Sequence, residues 1–382
     1  MIMKWPSFDN VEEFISECDP QESVYCVRPS VLKKNTQKFI KNFDGKVLYA
    51  LKANPLKPIV DAIYDGGVRH FDTASLNEIK QISTCYNDAR TYFMHPVKSW
   101  NSIKVAYHQF GVRHYVIDHV DELKKIINIL TDEKDTLIIM VRLATPTKDA
   151  KFNLSSKFGA CVDEVVKLLR AVQSKGAIPG LCFHVGSQCT STFAYSQAFT
   201  LVKEVLSQTN FPLHCLDIGG GFPVRYEGTT LSPLEDYFEV IRDGVRSLNL
   251  TEKCDLMCEP GRALVADGMS VLTQVQLRKD DTLYLNDGIY GSLGGARLGL
   301  KFPIRVIREE QTLSEEDKQF TIYGPTCDGL DVLPYKIDLP DNTNTGDWIE
   351  FGMLGAYGPA IRTDFNGFKP SNFCFLSDTY LP

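Results

Sequence analysis

An α/β barrel joined to an all-β domain is the fold this sequence predicts, on three observations. Short apolar runs alternate with longer amphipathic ones from about residue 24 onward. The alternation repeats about eight times, a count and length that suit a TIM-like barrel, and it stops near Glu259–Arg262. After about residue 264 the texture changes to short runs separated by Gly, Pro, Asn and Asp, which reads as strands joined by hairpins and turns.

Taken in order, the apolar runs are Val47–Leu51, His70–Phe71, Tyr92–Met94, His114–Ile117, Leu137–Leu143, Gly180–Val185, Leu213–Ile218 and Lys253–Cys258. Between them lie Pro58–Tyr64, Ser75–Cys85, Ser99–Gln109, Val120–Leu130, Val162–Lys175 and Tyr195–Gln208, each with helical spacing of its apolar residues. Strand then helix at this interval is a parallel βαβ pattern. A doubly wound open sheet produces the same alternation and stays open at this level. The β-domain runs are Met269–Leu277, Thr282–Leu285, Ile304–Arg308, Phe320–Tyr323 and Asp347–Phe351. The barrel is therefore assigned to 28–263 and the β domain to 264–382, with close packing expected because no linker or low-complexity tract separates them.

The chain has 382 residues, enough for two domains with large cores and no need of a disulfide or metal staple. Lys and Arg total 41 against 48 Asp and Glu, a net charge of −7. That balance disfavours nucleic acid and anionic membranes as partners and tolerates a cationic small substrate. The 11 cysteines show no zinc-like spacing, so no metal is expected and the thiols read as reduced and mostly buried. The N-terminus lacks a signal-peptide core and no run reaches membrane-span length, which points to a cytoplasmic protein.

The residues that could carry chemistry sit at the ends of apolar runs, where barrel enzymes build their sites. Lys52, in Tyr49-Ala50-Leu51-Lys52-Ala53-Asn54, is either a snorkelling strand-end lysine or a partly desolvated amine with a lowered pKa suited to Schiff-base chemistry. Asp72 and Glu78 flank Thr73-Ala74-Ser75, and Ser75 with Glu78 also fits a helix capping box. His184 is either a structural strand-end histidine or, with Gly186-Ser187 opening the backbone beside it, an imidazole able to stack on a planar ring. Gly219, Gly220 and Gly221 after Asp217-Ile218 either form a plain turn or bring backbone N–H groups close to an oxyanion. Glu259-Pro260-Gly261-Arg262 pairs a phosphate-clamp arginine with an acid able to hold a protonated pyridine nitrogen; a Glu–Arg surface pair is the plain alternative. In the β domain, Cys327, Asp328 and Asp331 share a turn-rich segment, and Tyr357 lies among small residues in Gly355-Ala356-Tyr357-Gly358.

The ordered set YALKAN, FDTAS, HVGSQ, DIGGGF, EPGR, PTCDGLD, GAYG and FNGF resembles the fold-type III pyridoxal 5'-phosphate (PLP) decarboxylases, the ornithine/lysine/diaminopimelate decarboxylase family, over nearly the whole chain. The resemblance implies a barrel rather than an open sheet, and a β domain that takes in residues 1–27. It implies that Lys52 carries PLP, that His184 stacks on its ring and that Glu259 holds the ring nitrogen. Ser187, Gly219 to Gly221, Gly261, Arg262 and Tyr357 would bind the phosphate, with Arg142 near the ring and Asp72 and Glu78 positioning the lysine. Sites in this family form across a homodimer interface, so Cys327 would protonate Cα in the partner's site and Asp328, with Tyr290, would meet the substrate's distal cation.

The loop Cys327-Asp328-Gly329-Leu330-Asp331 is similar to the branch acting on ornithine, lysine or arginine, whereas His184–Gln188 is closer to the diaminopimelate branch. Eukaryotic ornithine decarboxylases carry a Tyr-Asp pair where this chain has Leu298-Gly299, so the second carboxylate for a distal amine is missing. In that respect the chain is more like the bacterial lysine/ornithine decarboxylases. Arg297, beside this pair, is expected to face solvent. The expected activity is decarboxylation of L-ornithine and/or L-lysine, yielding putrescine or cadaverine for polyamine synthesis. A diaminopimelate or arginine decarboxylase is the enzymic alternative, and an inactive homologue that binds a protein partner is the non-enzymic one.

Overall fold

The computed structural model describes residues 6–145, 150–152, 154–250, 252–308 and 312–380, with residues 134 and 135 described by backbone alone. The outermost ends of the two expected β-domain segments, residues 1–5 and 381–382, lie outside the described residues.

Eight parallel strands close into a barrel: β1 (Lys46–Ala50), β2 (His70–Thr73), β3 (Arg90–Phe93), β4 (His114–Ile117), β5 (Ile138–Leu143), β6 (Ile178–Phe183), β7 (Cys215–Asp217) and β8 (Asp255–Cys258). Each pairs with its successor and β8 returns to β1, with Met257 opposite Lys46. Closure excludes the open sheet. The period of two along each strand divides the apolar residues between two cores. Leu48, Val116, Met140, Cys215 and Met257 fill the lumen. Their neighbours Val47, Tyr49, Ile117, Ile139 and Val141 face the surrounding helices instead.

The six anticipated helices appear as Lys57–Asp65, Leu76–Cys85, Trp100–Phe110, Val120–Ile129, Val162–Ser174 and Phe193–Ser207. Two more, Pro29–Asn42 and Leu234–Ser247, complete the ring. Neither was anticipated, although each buries a stripe at helical spacing: Leu32, Thr36 and Phe39 in one, Tyr237, Phe238 and Ile241 in the other.

The β domain centres on the strand Met269–Lys279, which pairs antiparallel with Val24–Val27, Trp348–Phe351 and Thr282–Leu285. Val24–Val27 also pairs parallel with Asn372–Leu376, so the N-terminal segment is woven into the C-terminal sheet. A buried ion network ties this seam: Arg28 meets Glu350 at 3.0 Å and Asp378 at 2.8 Å. The strands Asn372–Leu376 and Ile337–Pro340 were not expected. They are short, and the first finds its partner some 350 residues away in the chain, which no local pattern reports.

The β domain grips the barrel at the loop after β1. Asn54 Nδ2 donates to the Gly355 carbonyl at 2.8 Å, and Tyr357 N–H donates to the Ala53 carbonyl at 2.7 Å. A Cβ at Gly355 would stand 1.7 Å from the Val265 carbonyl oxygen, so only glycine permits this approach.

Candidate active site

A cavity of about 330 Å³ opens at the C-terminal mouth of the barrel, beneath the β domain. Lys52, His184, Ser187, Glu259, Arg262 and Tyr357 all line it.

Lys52 follows β1 in a short 3₁₀ turn, and its Nζ donates to Asp72 Oδ2 at 2.5 Å. Asp72 ends the adjacent β2 and is 2% exposed. Burial opposes the charge on Lys52, but Asp72 and Glu259 outweigh it and raise its pKa above the ordinary lysine value. The expected lowered pKa is therefore corrected: a buried carboxylate in contact wins over desolvation.

Three acids crowd this lysine. Burial, reinforced by Asp217 and Asp72, holds the Glu259 carboxyl well above the usual range. Burial also pushes Asp217 up to about 7, against the bond from Gly219 N–H, with Asp72 adding to the rise. Asp217 is fully buried; its Oδ1 accepts from Gly219 N–H at 2.7 Å and its Oδ2 has no partner. It is a site residue that the sequence reading passed over, although an acid at the end of an apolar run before the glycines was the signal. Arg142, ending β5, adds a positive charge that acts on His184, Asp217 and Glu259.

Glu78 is tied to the backbone. Its carboxylate accepts from Ala74 N–H at 2.6 Å while Ser75 Oγ accepts from Glu78 N–H at 3.2 Å. The capping arrangement is present, and Glu78 reaches Lys52 by charge alone, without a hydrogen bond.

His184 leaves β6 with Nδ1 accepting from Gly186 N–H at 3.0 Å, which places its ring proton on Nε2. Burial, then Arg142 and Lys52, push its pKa well below the ordinary value, so the ring is neutral. Gly220 passes directly beside it: a Cβ there would come 3.0 Å from His184 Nε2 and 2.5 Å from the Glu259 carbonyl oxygen. Gln188 pins the segment after the glycines by exchanging two hydrogen bonds with Val224, at 2.6 and 3.1 Å.

Arg262 is 6% exposed, yet no carboxylate pairs with it among the described residues. Its guanidinium donates to Tyr226 OH at 2.8 Å and to Ser187 Oγ at 3.4 Å, and Nε has no partner. The surface Glu–Arg pair is thereby excluded. Tyr226 had no sequence signal, being one aromatic in a loop. A Cβ at Gly261 would stand 2.9 Å from Ala53 Cβ. Tyr357, with a φ of +63°, lies 5.0 Å from the Arg262 Cζ, measured to its ring centroid. A buried unneutralised cation with hydroxyls around it calls for an anion.

Cys327, Asp328 and Tyr290 do not line the cavity of their own chain. Cys327 is exposed, and Tyr290 OH donates to Asp328. Asp331 shapes this loop by accepting from Thr326 N–H at 3.1 Å, Thr326 Oγ1 at 2.8 Å and Ile289 N–H at 3.0 Å. Arg297 is exposed, as expected, with its Cζ 6.0 Å from the Tyr290 ring centroid.

Residues 30–266 match the family model described as pyridoxal-dependent decarboxylase, pyridoxal binding domain. Antizyme inhibitor 2 of Xenopus laevis is 30% identical over 397 residues, spanning 95% of this chain and 83% of the relative. A lysine/ornithine decarboxylase of Selenomonas ruminantium is 31% identical over 332 residues, spanning 84% and 81%. The structure of the Paramecium bursaria Chlorella virus arginine decarboxylase bound to agmatine superposes with a TM-score of 0.84 at 27% identity, spanning 96% of this chain and 98% of that one. The cavity suits the cofactor these proteins imply. An amine for its aldehyde, an acid for its ring nitrogen and a buried arginine with no counter-ion for its phosphate face one space. PLP is the cofactor, and the chain belongs to the pyridoxal-dependent decarboxylase family.

Proposed function

We propose that this protein decarboxylates a basic L-amino acid, L-ornithine or L-lysine, as a homodimer whose sites are completed across the subunit interface. The observation that carries the reading is the conjunction, in one cavity, of Lys52 on Asp72, Glu259 and an Arg262 that lacks a counter-ion. When bound, PLP supplies an electron sink for the pair left as CO₂ departs.

The chain's own residues do the rest. Lys52 holds the cofactor, and Asp72 holds the lysine in place. Arg262, Ser187, Tyr357, Gly261 and the amides of Gly219, Gly220 and Gly221 bind the phosphate and fix the ring. The neutral His184 packs on the ring face without adding charge, and Glu259 keeps the ring nitrogen protonated. Arg142 tempers the negative charge around the ring. The apolar lining from Phe152, Leu300 and Phe302 lowers the polarity of the cavity, which favours loss of a charged carboxylate as neutral CO₂.

Protonation of Cα is assigned to Cys327 of a second copy, and recognition of the distal cation to Asp328, held by Tyr290. Exposed apolar side chains beside this loop, Leu330 at 68% and Phe368 at 46%, support burial against that copy. Among the described residues no helix is long and apolar enough to cross a membrane.

The similarity to an antizyme inhibitor favours one second reading, a homologue that acts by binding a protein rather than by catalysis. CO₂ release from PLP-loaded protein with L-ornithine, L-lysine, L-arginine and meso-diaminopimelate, compared as kcat/KM, separates the readings. Turnover led by ornithine or lysine supports the proposal. Turnover led by diaminopimelate or arginine moves the substrate, and none with any of the four leaves the binding reading. Mixing Lys52→Ala with Cys327→Ala subunits tests the shared site: partial recovery of activity is expected. A mixture as inactive as its parents, despite subunit exchange, would remove it.

A further inference from the structure

The motif FNGF, residues 365–368, puts no side chain into the cavity of its own chain; its first three residues form the 3₁₀ turn Phe365–Gly367. Asn366 stands in this turn with a φ of +53°, a left-handed conformation that asparagine tolerates better than most side chains. Its Oδ1 accepts from Cys327 N–H at 3.1 Å. The turn is itself moored to Tyr290. Thr363 N–H and Oγ1 donate to the Tyr290 carbonyl at 2.9 and 3.0 Å, and the Phe365 and Tyr290 rings lie 5.2 Å apart between centroids.

Two braces thus meet at the Cys327 loop. The Asp331 carboxylate, 1% exposed, holds Thr326 and the Ile289 N–H, which fixes the residue before Cys327 to the residue before Tyr290. Asn366 holds Cys327 itself, through an exposed bond. The two differ in what they can do. A buried carboxylate with three donors stabilises the loop, whereas an exposed neutral hydrogen bond adds little to folding, because water replaces it. What the Asn366 bond does fix is where the Cys327 backbone sits. One rotatable bond separates that backbone from the sulfur, so the position of the thiol follows directly.

We propose that Asn366 is a positioning residue for the protonation step, its amide oxygen on the Cys327 N–H setting where the thiol is presented to the partner's site. The inference rests on the reading of Cys327 as proton donor to Cα in a second copy. In that step the S–H bond breaks as a C–H bond forms at Cα with the electron pair left by CO₂, and water returns a proton to the thiolate. Proton delivery depends on the approach of donor and carbon, and a misplacement of about 1 Å can cost on the order of a hundredfold.

The test is Asn366→Gly beside Asn366→Asp in the PLP-loaded protein, with Asn366→Gly also made on Cys327→Ala. Glycine keeps the positive φ and removes Oδ1, whereas aspartate keeps an acceptor on a side chain that also adopts this conformation. Asn366→Gly should lower kcat about tenfold, the scale of one lost hydrogen bond, and leave KM and PLP affinity within about twofold of wild type. Asn366→Asp should recover most of that loss. On Cys327→Ala, Asn366→Gly should change kcat by less than about twofold, because a residue that acts through the thiol has nothing left to position. A second readout needs no turnover: amide exchange in the peptide carrying Cys327, followed by mass spectrometry, should be faster in Asn366→Gly and as in wild type in Asn366→Asp. Wild-type kcat in Asn366→Gly overturns the proposal. So does an equal further loss on Cys327→Ala, which would make Asn366 a structural residue. Full activity in Cys327→Ala, or no turnover of any basic amino acid, removes the reading underneath and the proposal with it.

Discussion

The two ends of the barrel are both crowded with ionisable groups, and they differ in what they leave unpaired. At the floor, where the strands begin, charges are paired or neutralised internally, although His114 Nε2 has no partner. Lys46 pairs with Asp255, Tyr92 OH bonds His70 Nδ1 at 2.9 Å, and the His114 ring packs on Tyr92 with centroids 4.4 Å apart. Burial keeps His114 neutral, with its pKa down to about 3, and lowers His70 as well. At the mouth Asp217 and Glu259 are pushed up and His184 is pushed down, Asp217 Oδ2 is unpartnered, and Arg262 has no counter-ion among the described residues. The floor leaves a neutral ring nitrogen unpartnered, whereas the mouth leaves a carboxyl oxygen and a guanidinium nitrogen. The mouth keeps unsatisfied groups that a cationic ring nitrogen and an anionic phosphate would satisfy, which is how a binding site differs from a structural polar core.

The comparison breaks if mouth variants behave like floor variants. The largest expected effect is at Lys52. Lys52→Ala should lower kcat on the order of a thousandfold while the protein stays folded by circular dichroism. Next comes Arg262→Met, which removes the unpaired cation. PLP affinity should fall about a hundredfold, from two charge-assisted hydrogen bonds. The cofactor-free protein should melt no lower than wild type, because a buried charge without a partner has been replaced by an apolar chain. A clear fall in the apo melting temperature would mean that Arg262 is structural.

The floor should respond to pH instead. His114 stays neutral in the folded protein down to about 3 but takes up a proton below 6.5 when unfolded. The unfolded chain therefore binds more protons in this window, and stability falls as pH drops from 6.5 toward 3. At pH 5.5 the loss from this one group is about 1.4 kcal/mol. His114→Phe, which keeps a ring against Tyr92, should gain that amount relative to wild type between pH 8 and 5.5 in denaturant titrations, with PLP affinity unchanged. Equal slopes would show that burial does not hold His114 neutral in the folded protein. The smallest effect is at a cap: Ser75→Ala should cost about 1 kcal/mol of stability and leave the absorbance of bound PLP unaltered.

Much of the barrel was legible because it is built by repetition: each strand is a buried apolar run, and each helix carries its stripe at helical spacing. The lysine, histidine, glycines and arginine at strand ends were visible for the same reason, since the fold sends strand ends to one face. Three features were not. The raised pKa of Lys52 depends on Asp72 across a strand pair. Tyr226 under Arg262 is a single residue whose partner lies 36 positions away. The C-terminal strand Asn372–Leu376 is defined by pairing with residues near the N-terminus. Periodicity reports what a segment buries, and not which distant group meets it.

The most direct test of the unfinished mouth is an absorbance titration of the purified protein with PLP, carried out in parallel on Lys52→Ala. A saturable visible band in the wild type that is absent from Lys52→Ala, with Arg262→Met shifting the midpoint to higher PLP, is the predicted result. No saturable band in the wild type, or one that survives the loss of Lys52, would contradict the assignment of this cavity.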